Sequence, residues 1–147
     1  MKSLVVYDSL KGNTRQIAES IGRGIGGDVL LLAAADFPST KAAAFDLLVV
    51  GSPTMGGKPT KAILDALGRL PAASLKGART AAFDTRLGMK FVKLFGYAAE
   101  KIAAALERKG GRVVATPEGF IVKGREGPLA EGEVQRAAEW GKSLSAR

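Results

Sequence analysis

The stretch SLVVYDSLKGNTRQIAESIGRGI (residues 3–25) decides the fold, because it joins a strand directly to a helix through a short polar turn. Its first part, SLVVYD (3–8), has the continuous apolar run of a strand that is buried on both faces. Its last part predicts a helix from Asn13 to about Ile25, in which isoleucines recur every four residues along one face. The turn between them, DSLKGNT (8–14), gathers hydroxyls, an amide and a lysine around one glycine, and such a turn is either a helix cap or a phosphate site.

Strand-like and helix-like segments alternate through the rest of the chain. Further strands are predicted at DVLLLAA (28–34), FDLLVVGS (45–52) and ARTAAFD (78–84), followed by one interrupted strand, RVVAT (112–116) and GFIVKG (119–124). Further helices are predicted from Pro59 to Leu67, from about Lys93 to Lys109, and from Glu131 to about Leu144. In the last helix the residues predicted to face inwards are Val134, Ala137, Ala138 and Trp140. The alternation predicts an α/β fold in three layers, a doubly wound parallel sheet of five strands with helices on both faces, in a single domain over residues 1–147.

The composition excludes several classes of catalytic site. The chain contains neither cysteine nor histidine. Disulfides, thiolate metal sites and thiol catalysis are therefore excluded, and so are a Ser-His-Asp hydrolase and a His-ligated zinc enzyme. We assign no catalytic residue and no metal ligand, and we expect any enzymatic chemistry to come from a bound cofactor.

The charge of the chain is strongly positive and unevenly distributed. The net charge is +8, and residues 76–112 carry nine basic and three acidic groups. Such a surface attracts polyanions or acidic proteins, but most of the aromatic residues fall in strand-like or helix-core positions, so nucleic acid is not the expected partner. No apolar run approaches the ~20 residues of a membrane span, and the apolar run at the N-terminus is too short for a signal peptide. We therefore expect a soluble, cytoplasmic protein.

Three loops follow the carboxyl ends of strands, where a doubly wound sheet binds its ligands. In the first loop, Ser9, Asn13 and Thr14 offer hydroxyls and an amide beside the free N–H groups of a helix start, and Gly12 allows close approach or a positive φ. A capped helix with Gly12 as turn residue explains the same residues, and the loop alone leaves both readings open. The glycine-rich run GRGIGG (22–27) follows a helix instead of a strand, so we interpret it as a helix terminus and not as a dinucleotide fingerprint.

The second loop, GSPTMGGKPT (51–60), has the glycines and prolines of an irregular, shaped connection at the end of a central strand. Ser52 and Thr54 offer polar contacts to a ligand, and Met55 offers a surface for a flat ring. An ordinary strand-to-helix connection is the alternative, and the length and glycine content of the loop favour a ligand site.

The third loop, FDTRLGMK (83–90), ends the fourth predicted strand. Asp84 is either a ligand-binding carboxylate or a cap near the next helix, and Arg86 is either a surface charge or a cation near the ligand.

With three such loops on this sheet, the sequence resembles the flavodoxin family over nearly its whole length. The family's phosphate loop reads S/T-x-T-G-N-T after the first strand, and here SLKGNT occupies residues 9–14. The resemblance implies the strand order 2-1-3-4-5, FMN as the cofactor, and the short-chain type that lacks the family's long insertion. It also implies cofactor contacts from Ser9, Leu10, Lys11, Gly12, Asn13 and Thr14 around the phosphate, from Pro53, Thr54, Met55 and Gly56 at one face of the flavin, and from Asp84, Thr85, Arg86 and Leu87 at the other face and the pyrimidine edge.

The chain departs from the family pattern in three ways. Lys11 replaces a threonine of the phosphate loop, and it either strengthens phosphate binding as a point charge or points outwards. The flavin loops hold no aromatic residue, with Met55 and Leu87 as the nearest substitutes, and lost stacking weakens binding by about 1–2 kcal/mol. The chain is also basic, whereas classical flavodoxins are acidic.

The resemblance implies a one-electron carrier that passes electrons between redox partners, and the basic surface favours a partner with an acidic docking surface. Association of that kind should weaken as salt is added. Two alternatives remain open. One is an FMN-dependent quinone or flavin reductase, which needs a nicotinamide pocket, and the other is a flavodoxin-like binding module that has lost its flavin.

The basic character of the chain predicts an altered reduction potential. Positive surroundings favour the extra electron on an anionic reduced flavin, so we expect a less negative potential for the second reduction than in acidic relatives. A redox titration of the flavin-loaded protein measures this potential. An equally low or lower value would contradict the expectation.

Overall fold

A computed structural model describes residues 1–88 and 97–146 of the chain. Within them the strands are β1 (Lys2–Tyr7), β2 (Asp28–Ala33), β3 (Leu47–Pro53), β4 (Arg79–Leu87), β5 (Arg112–Val113) and β6 (Glu118–Val122). The helices are α1 (Asn13–Ile25), α2 (Lys61–Gly68), α3 (Ala98–Arg108) and α4 (Glu133–Ser145), and two short 3-10 helices, Ala34–Asp36 and Ser39–Ala44, lie between β2 and β3. None of the described helices combines the length and the apolar character that crossing a membrane requires.

The strands form one parallel sheet in the order β2-β1-β3-β4-β5, and β6 also pairs with β4. β5 pairs with the start of β4 at Arg79 and Thr80, whereas β6 pairs with its end, from Phe83 to Leu87. The α/β fold class, the strand order and the interrupted fifth strand are therefore confirmed. Because β1 lies between β2 and β3, the winding direction changes there, and the carboxyl ends of β1 and β3 flank the switch point.

Alternate residues of the central strands enter two cores on opposite faces of the sheet. One core combines strand residues with α2 and α3: Leu4, Val6, Leu48 and Val50 with Ile63, Ile102 and Leu106. The other combines strand residues with α1 and α4: Val5, Leu47 and Val49 with Ile17, Ile21 and Ala137. This arrangement explains why the predicted third strand is apolar throughout, since both of its faces are covered.

Three helix starts differ from the predictions. Helix α4 begins at Glu133 instead of Glu131, because Gly132 is its N-cap residue. Helix α2 begins at Lys61 instead of Pro59, because the main chain at Thr60 is still extended and Thr60 is the N-cap residue. Helix α3 begins at Ala98, and residues 93–96 of the predicted helix lie outside the described residues. β4 also runs to Leu87, beyond its predicted end at residue 84, because its last residues pair with β6.

The prediction that Val134 faces inwards is wrong, since its side chain is 40% exposed. Glu133 takes the buried position in the first turn of α4, because its carboxylate accepts hydrogen bonds from the main-chain N–H of Ile121 and from Arg136. The other residues predicted to face inwards are buried or half-buried: Ala137, Ala138 and Trp140.

Helices α1 and α4 approach each other so closely that two positions between them need glycine. A Cβ at Gly24 would overlap the carbonyl oxygen of Ala138, and a Cβ at Gly141 would overlap that of Ile21. The atoms in the way belong to the main chain, so no side-chain rotation makes room. This contact fixes α4 against the helix that starts at the polar turn.

Gly141→Ala should therefore destabilise the protein. We expect the free energy of unfolding to fall by about 1–3 kcal/mol, because the helices must move apart to admit the methyl group. Urea unfolding followed by circular dichroism measures the change. Gly68→Ala is the matched control, because a Cβ there meets no atom within 4 Å and φ is not left-handed, and it should be neutral or stabilise by about 0.4–1 kcal/mol. Equal losses in the two variants would contradict the close approach.

Candidate functional site

A cavity of about 630 Å³ opens at the carboxyl ends of β1, β3, β4 and β6. Its volume lies in the range that holds a small-molecule ligand. The residues that line it come from all three predicted loops and from one further segment: Leu10, Lys11, Asn13, Thr14, Pro53, Thr54, Met55, Gly56, Gly57, Thr85, Arg86, Leu87, Val122, Arg125 and Glu126. Of the residues predicted to bind a cofactor, only Ser9, Gly12 and Asp84 do not line this cavity.

The first loop is both a helix cap and a possible anion site. The Ser9 hydroxyl oxygen accepts hydrogen bonds from the main-chain N–H groups of Gly12, at 3.1 Å, and Arg15, at 3.2 Å. Gly12 has φ +90°, a left-handed conformation that glycine adopts without strain. Helix α1 begins at Asn13, so the N–H groups of Asn13 and Thr14 receive no partner from the helix itself, and the positive end of its dipole lies at the cavity.

Hydrogen bonds join the three loops to one another. The hydroxyls of Thr14 and Thr85 are 2.8 Å apart in a buried contact that links the first loop to the end of β4. The N–H of Thr54 donates to the carbonyl of Thr85 at 2.9 Å, which links the second loop to the same residue. The Thr54 hydroxyl accepts from the N–H of Ala98 at 3.0 Å, at the start of α3. These hydrogen bonds hold the three loops in fixed positions relative to one another.

The second loop contains a tight turn. Met55 and Lys58 exchange main-chain hydrogen bonds of 2.8 and 3.0 Å across Gly56 and Gly57, whose φ values are +56° and +80°. A two-residue turn with positive φ at both positions requires residues such as glycine. The turn leaves Met55 at the rim of the cavity with 52% of the residue exposed.

Ser52 does not offer its hydroxyl to the cavity. The residue is fully buried, and its hydroxyl accepts from the N–H of Thr60 at 2.9 Å and donates to the carbonyl of Pro53 at 2.8 Å. The prediction of a ligand contact from Ser52 is therefore wrong, because its hydroxyl both donates and accepts hydrogen bonds within the second loop.

Asp84 is fully buried and holds Arg86. Its carboxylate accepts hydrogen bonds from two guanidinium nitrogens of Arg86, at 2.7 and 2.8 Å, and from the N–H of Ala99 at 2.9 Å. The carboxylate is thus engaged by protein groups instead of lining the cavity. It positions a cation, and its contact with Ala99 in the first turn of α3 agrees with the alternative of a cap near the next helix. Arg86 lines the cavity with its side chain only 17% exposed, so it is not a freely exposed surface charge, and its role near a ligand stays a prediction.

Two further neighbours, a tyrosine ring and a glycine, restrict the orientation of the Arg86 guanidinium. It lies over the ring of Tyr97, with 3.4 Å from the guanidinium carbon to the ring centroid. On the strand next to it, a Cβ at Gly119 would overlap the guanidinium. Stacking of this kind is characteristic of arginine and fixes the plane of the group.

The sequence predictions missed one wall of the cavity, a hairpin formed by residues 122–129. Val122 and Leu129 form an antiparallel bridge, and the N–H of Lys123 donates to the carbonyl of Pro128 at 2.9 Å. Arg125 and Glu126 lie at its tip and line the cavity. The signal was present as the turn sequence KGREGP, which follows the carboxyl end of the last strand just as the other ligand loops follow theirs.

Comparison with known proteins finds a matching family model and several solved structures with a similar fold. A family model described as Flavodoxin matches residues 5–140. A flavodoxin from the domain Archaea superposes with a TM-score of 0.83 at 25% identity, covering 99% of this chain and 97% of that one. Oxidised flavodoxin 2 from Bacillus cereus gives a TM-score of 0.83 at 20% identity with 99% of both chains covered, and two-electron reduced Megasphaera elsdenii flavodoxin gives 0.71 at 21% with 96% and 98% covered. No curated protein matches the sequence.

An ion pair behind β6 supports the strand that leads into the hairpin. Glu133 accepts hydrogen bonds from the N–H of Ile121 at 2.7 Å and from Arg136 at 2.8 and 2.9 Å, and Arg136 also donates to Glu118 at 2.7 Å. The hydrogen bonds from Arg136 lower the pKa of Glu133 although burial opposes this, and the same contact raises the pKa of Arg136. The contact between α4 and β6 in the folded protein therefore stabilises the charged forms of Glu133 and Arg136.

Glu133→Gln should destabilise the protein in a pH-dependent way. We expect the free energy of unfolding at pH 7 to fall by roughly 1–2 kcal/mol, a value moderated by solvent around Arg136. Folding lowers the pKa of Glu133 below its ordinary value of 4.5, so its charge stabilises fully above that value and loses this effect as the pH falls through the folded pKa. Urea unfolding at pH 7 and pH 3 should show the difference from wild type shrinking in acid. The control is Glu139→Gln, at an exposed position of the same helix, and a difference that stays constant with pH would contradict the role of the charge.

Proposed function

The chain belongs to the flavodoxin family, and from this premise we propose that it binds FMN and carries single electrons between redox partner proteins. The observation that carries the proposal is the cavity at the switch point, where the SLKGNT loop and the two following loops meet around one volume. Flavodoxins use a flavin, generally FMN, for this purpose. We further propose that residues 1–147 form a single domain with this function.

The residues at the first loop fit the phosphate of FMN. Asn13 and Thr14 present main-chain N–H groups at the start of α1, together with an amide and a hydroxyl side chain, and these are suitable partners for a dianion. At Gly12 no atom lies within 4 Å of the position that a Cβ would take, so the loop leaves open space beside these groups. The donor chemistry therefore agrees with a phosphate at this end of the cavity.

We propose that the other two loops cover the two faces of the flavin, without aromatic residues. Pro53, Thr54, Met55 and Gly56 would lie at one face, and Thr85, Arg86 and Leu87 at the other, and all of them line the cavity. The described lining residues contain only aliphatic, thioether, small polar and charged side chains. This composition supports binding through burial and shape instead of ring stacking, and it predicts a modest affinity for the flavin.

We propose that the protein groups around the cavity bind and orient the cofactor. When bound, FMN would supply the one-electron chemistry. The chain has no histidine to act as a general base, and Asp84, the buried carboxylate nearest the cavity wall, is engaged by Arg86 and Ala99. Such a site suits a carrier that needs neither an acid nor a base.

The rim of the cavity suits an acidic redox partner. Leu10 and Met55 are 55% and 52% exposed there, and the exposed cations Lys11, Lys58 and Arg125 lie on the loops around them. Apolar contacts at the centre with charges around them favour fast and specific encounter with a partner of opposite charge. We therefore propose docking of an acidic protein surface over the cavity mouth, with association that weakens as salt is added.

Two other functions are distinguished by simple measurements. A quinone or flavin reductase would show steady NADPH oxidation by the purified protein. A binding module without flavin is favoured by the absence of aromatic residues in the described lining, and it would purify colourless and fail to bind added FMN.

Removing the polar groups of the first loop should weaken FMN binding. In Asn13→Ala/Thr14→Ala we expect the dissociation constant for FMN to rise at least about tenfold, because hydrogen bonds to the phosphate and the buried contact with Thr85 are lost. Quenching of flavin fluorescence on titration of the flavin-free protein gives the constants. Gln16→Ala, an exposed position on the same helix, should bind as wild type does. Wild-type protein that fails to bind FMN would refute the proposed function, and unchanged binding by the double variant would refute the phosphate site alone.

A further inference from the structure

Three charged side chains meet at the mouth of the cavity beside the first loop. Lys11 comes from that loop, whereas Arg125 and Glu126 come from the hairpin 122–129, and all three line the cavity. The family pattern has a threonine at the Lys11 position, and the sequence pattern did not predict a ligand loop at the hairpin. Two cations and one carboxylate give this mouth a net positive charge.

The hairpin is packed against the first loop. A Cβ at Gly127 would lie only 2.6 Å from the side-chain oxygen of Asn13, so the hairpin backbone touches the residue that starts α1. Gly127 has φ +102°, and its N–H donates to the carbonyl of Gly124 at 3.1 Å, which closes the tip. Arg125 and Glu126 are thereby held beside the end of the cavity where the phosphate donors lie.

The charged side chains at this mouth interact only weakly with one another. The Lys11 ammonium is 3.4 Å from a Glu126 carboxylate oxygen, and their side chains are 53% and 79% exposed. Exposed ion pairs of this kind are weak and exchange partners easily. Arg125 is exposed, and no carboxylate within residues 1–88 and 97–146 lies within ion-pair distance of it.

We propose that Lys11 and Arg125 form a two-sided cationic clamp that selects the phosphorylated flavin over riboflavin, with Glu126 holding Lys11 when no phosphate is present. The clamp rests on the FMN binding proposed above. Arrival of the dianion offers Lys11 a partner of higher charge, so the ammonium leaves Glu126 for the phosphate, and Arg125 closes from the hairpin side. Glu126 then opposes binding in two ways, because it competes for Lys11 and repels the phosphate.

The clamp predicts opposite effects on FMN affinity for substitutions of the adjacent residues Arg125 and Glu126. Lys11→Met and Arg125→Met should each weaken FMN binding roughly three- to tenfold, because each removes one charged contact to the phosphate. Glu126→Gln should strengthen it roughly two- to fivefold, because it frees Lys11 and removes the repulsion. Riboflavin carries no phosphate, so its dissociation constant should not change in any of these variants.

The experiment is a pair of fluorescence titrations, with FMN and with riboflavin, of the flavin-free full chain at low and high salt. Lys76→Met and Arg108→Met are the charge-matched controls, because both residues are exposed and flank the amino-terminal ends of β4 and β5, opposite the cavity. They should leave the ratio of the two dissociation constants unchanged. The FMN advantage should also shrink with added salt in wild type, and shrink less in Lys11→Met/Arg125→Met.

The outcomes separate the clamp from the function it depends on. Wild-type protein that binds neither flavin would overturn both proposals. Wild-type protein that binds FMN while Lys11→Met, Arg125→Met and Glu126→Gln keep its ratio of constants would overturn the clamp and leave the FMN function standing. Weakening of FMN and riboflavin by equal factors would also overturn the clamp, since it indicates a change in the shape of the cavity instead of a loss of phosphate contacts.

Discussion

Strand β1 pairs with β2 on one side and with β3 on the other, and the cavity exists because of that placement. The loops after β1 and β3 leave toward opposite faces of the sheet, so a crevice opens between them at the carboxyl ends. Thr85 at the end of β4 then closes the arrangement, because its hydroxyl meets Thr14 and its carbonyl accepts from Thr54. One residue thus fixes the positions of the two loops on either side of the crevice.

The distribution of charge around the cavity is more even than the net charge of +8 suggests. Arg86 is the cation most deeply placed in the wall, and the buried Asp84 balances it with a two-pronged contact. A buried charge without a partner would cost several kcal/mol, so the pairing is what permits an arginine at this depth. Any electrostatic influence of the basic surface on a bound flavin must therefore come mainly from rim cations such as Lys11 and Arg125, and solvent screens such charges strongly.

Local patterns in the sequence were enough to predict the fold and most of the cavity. The apolar run at 47–50 indicated a central strand, and the polar turn before Asn13 indicated a helix start with ligand groups, because both signals lie within a few neighbouring residues. The hydrogen bonds of Ser52 and the pairing of Asp84 with Arg86 were not predictable in this way, although a cap near the next helix was one of the two roles predicted for Asp84. The carboxylate of Asp84 accepts hydrogen bonds from Arg86 and Ala99, and the hydroxyl of Ser52 accepts one from the N–H of Thr60. These partners depend on the packing of β4 against α3 and on the path of the second loop.

The hairpin 122–129 was missed for a related reason. Its turn residues were visible, but its contact with Asn13 joins positions more than a hundred residues apart, and only the strand order brings them together. Val134 illustrates the same limit at a helix, where a hydrogen bond between Glu133 and the N–H of Ile121 on β6 decides which residue of the first turn is buried.

The described residues that line the cavity include no aromatic side chain, and at one wall Arg86 lies in the lining while the neighbouring aromatic ring does not. The chain does place an aromatic ring next to Arg86, Tyr97, but this ring stacks on the guanidinium and does not line the cavity. The surface at this wall is therefore a planar cation, stacked on a ring and held in its plane by Asp84, and not the ring itself. A guanidinium differs from an aromatic ring in carrying a fixed positive charge and hydrogen-bond donors. Arg86 thus presents a fixed charge at this wall, and no aromatic ring among the described lining residues replaces the stacking whose loss the sequence predicts.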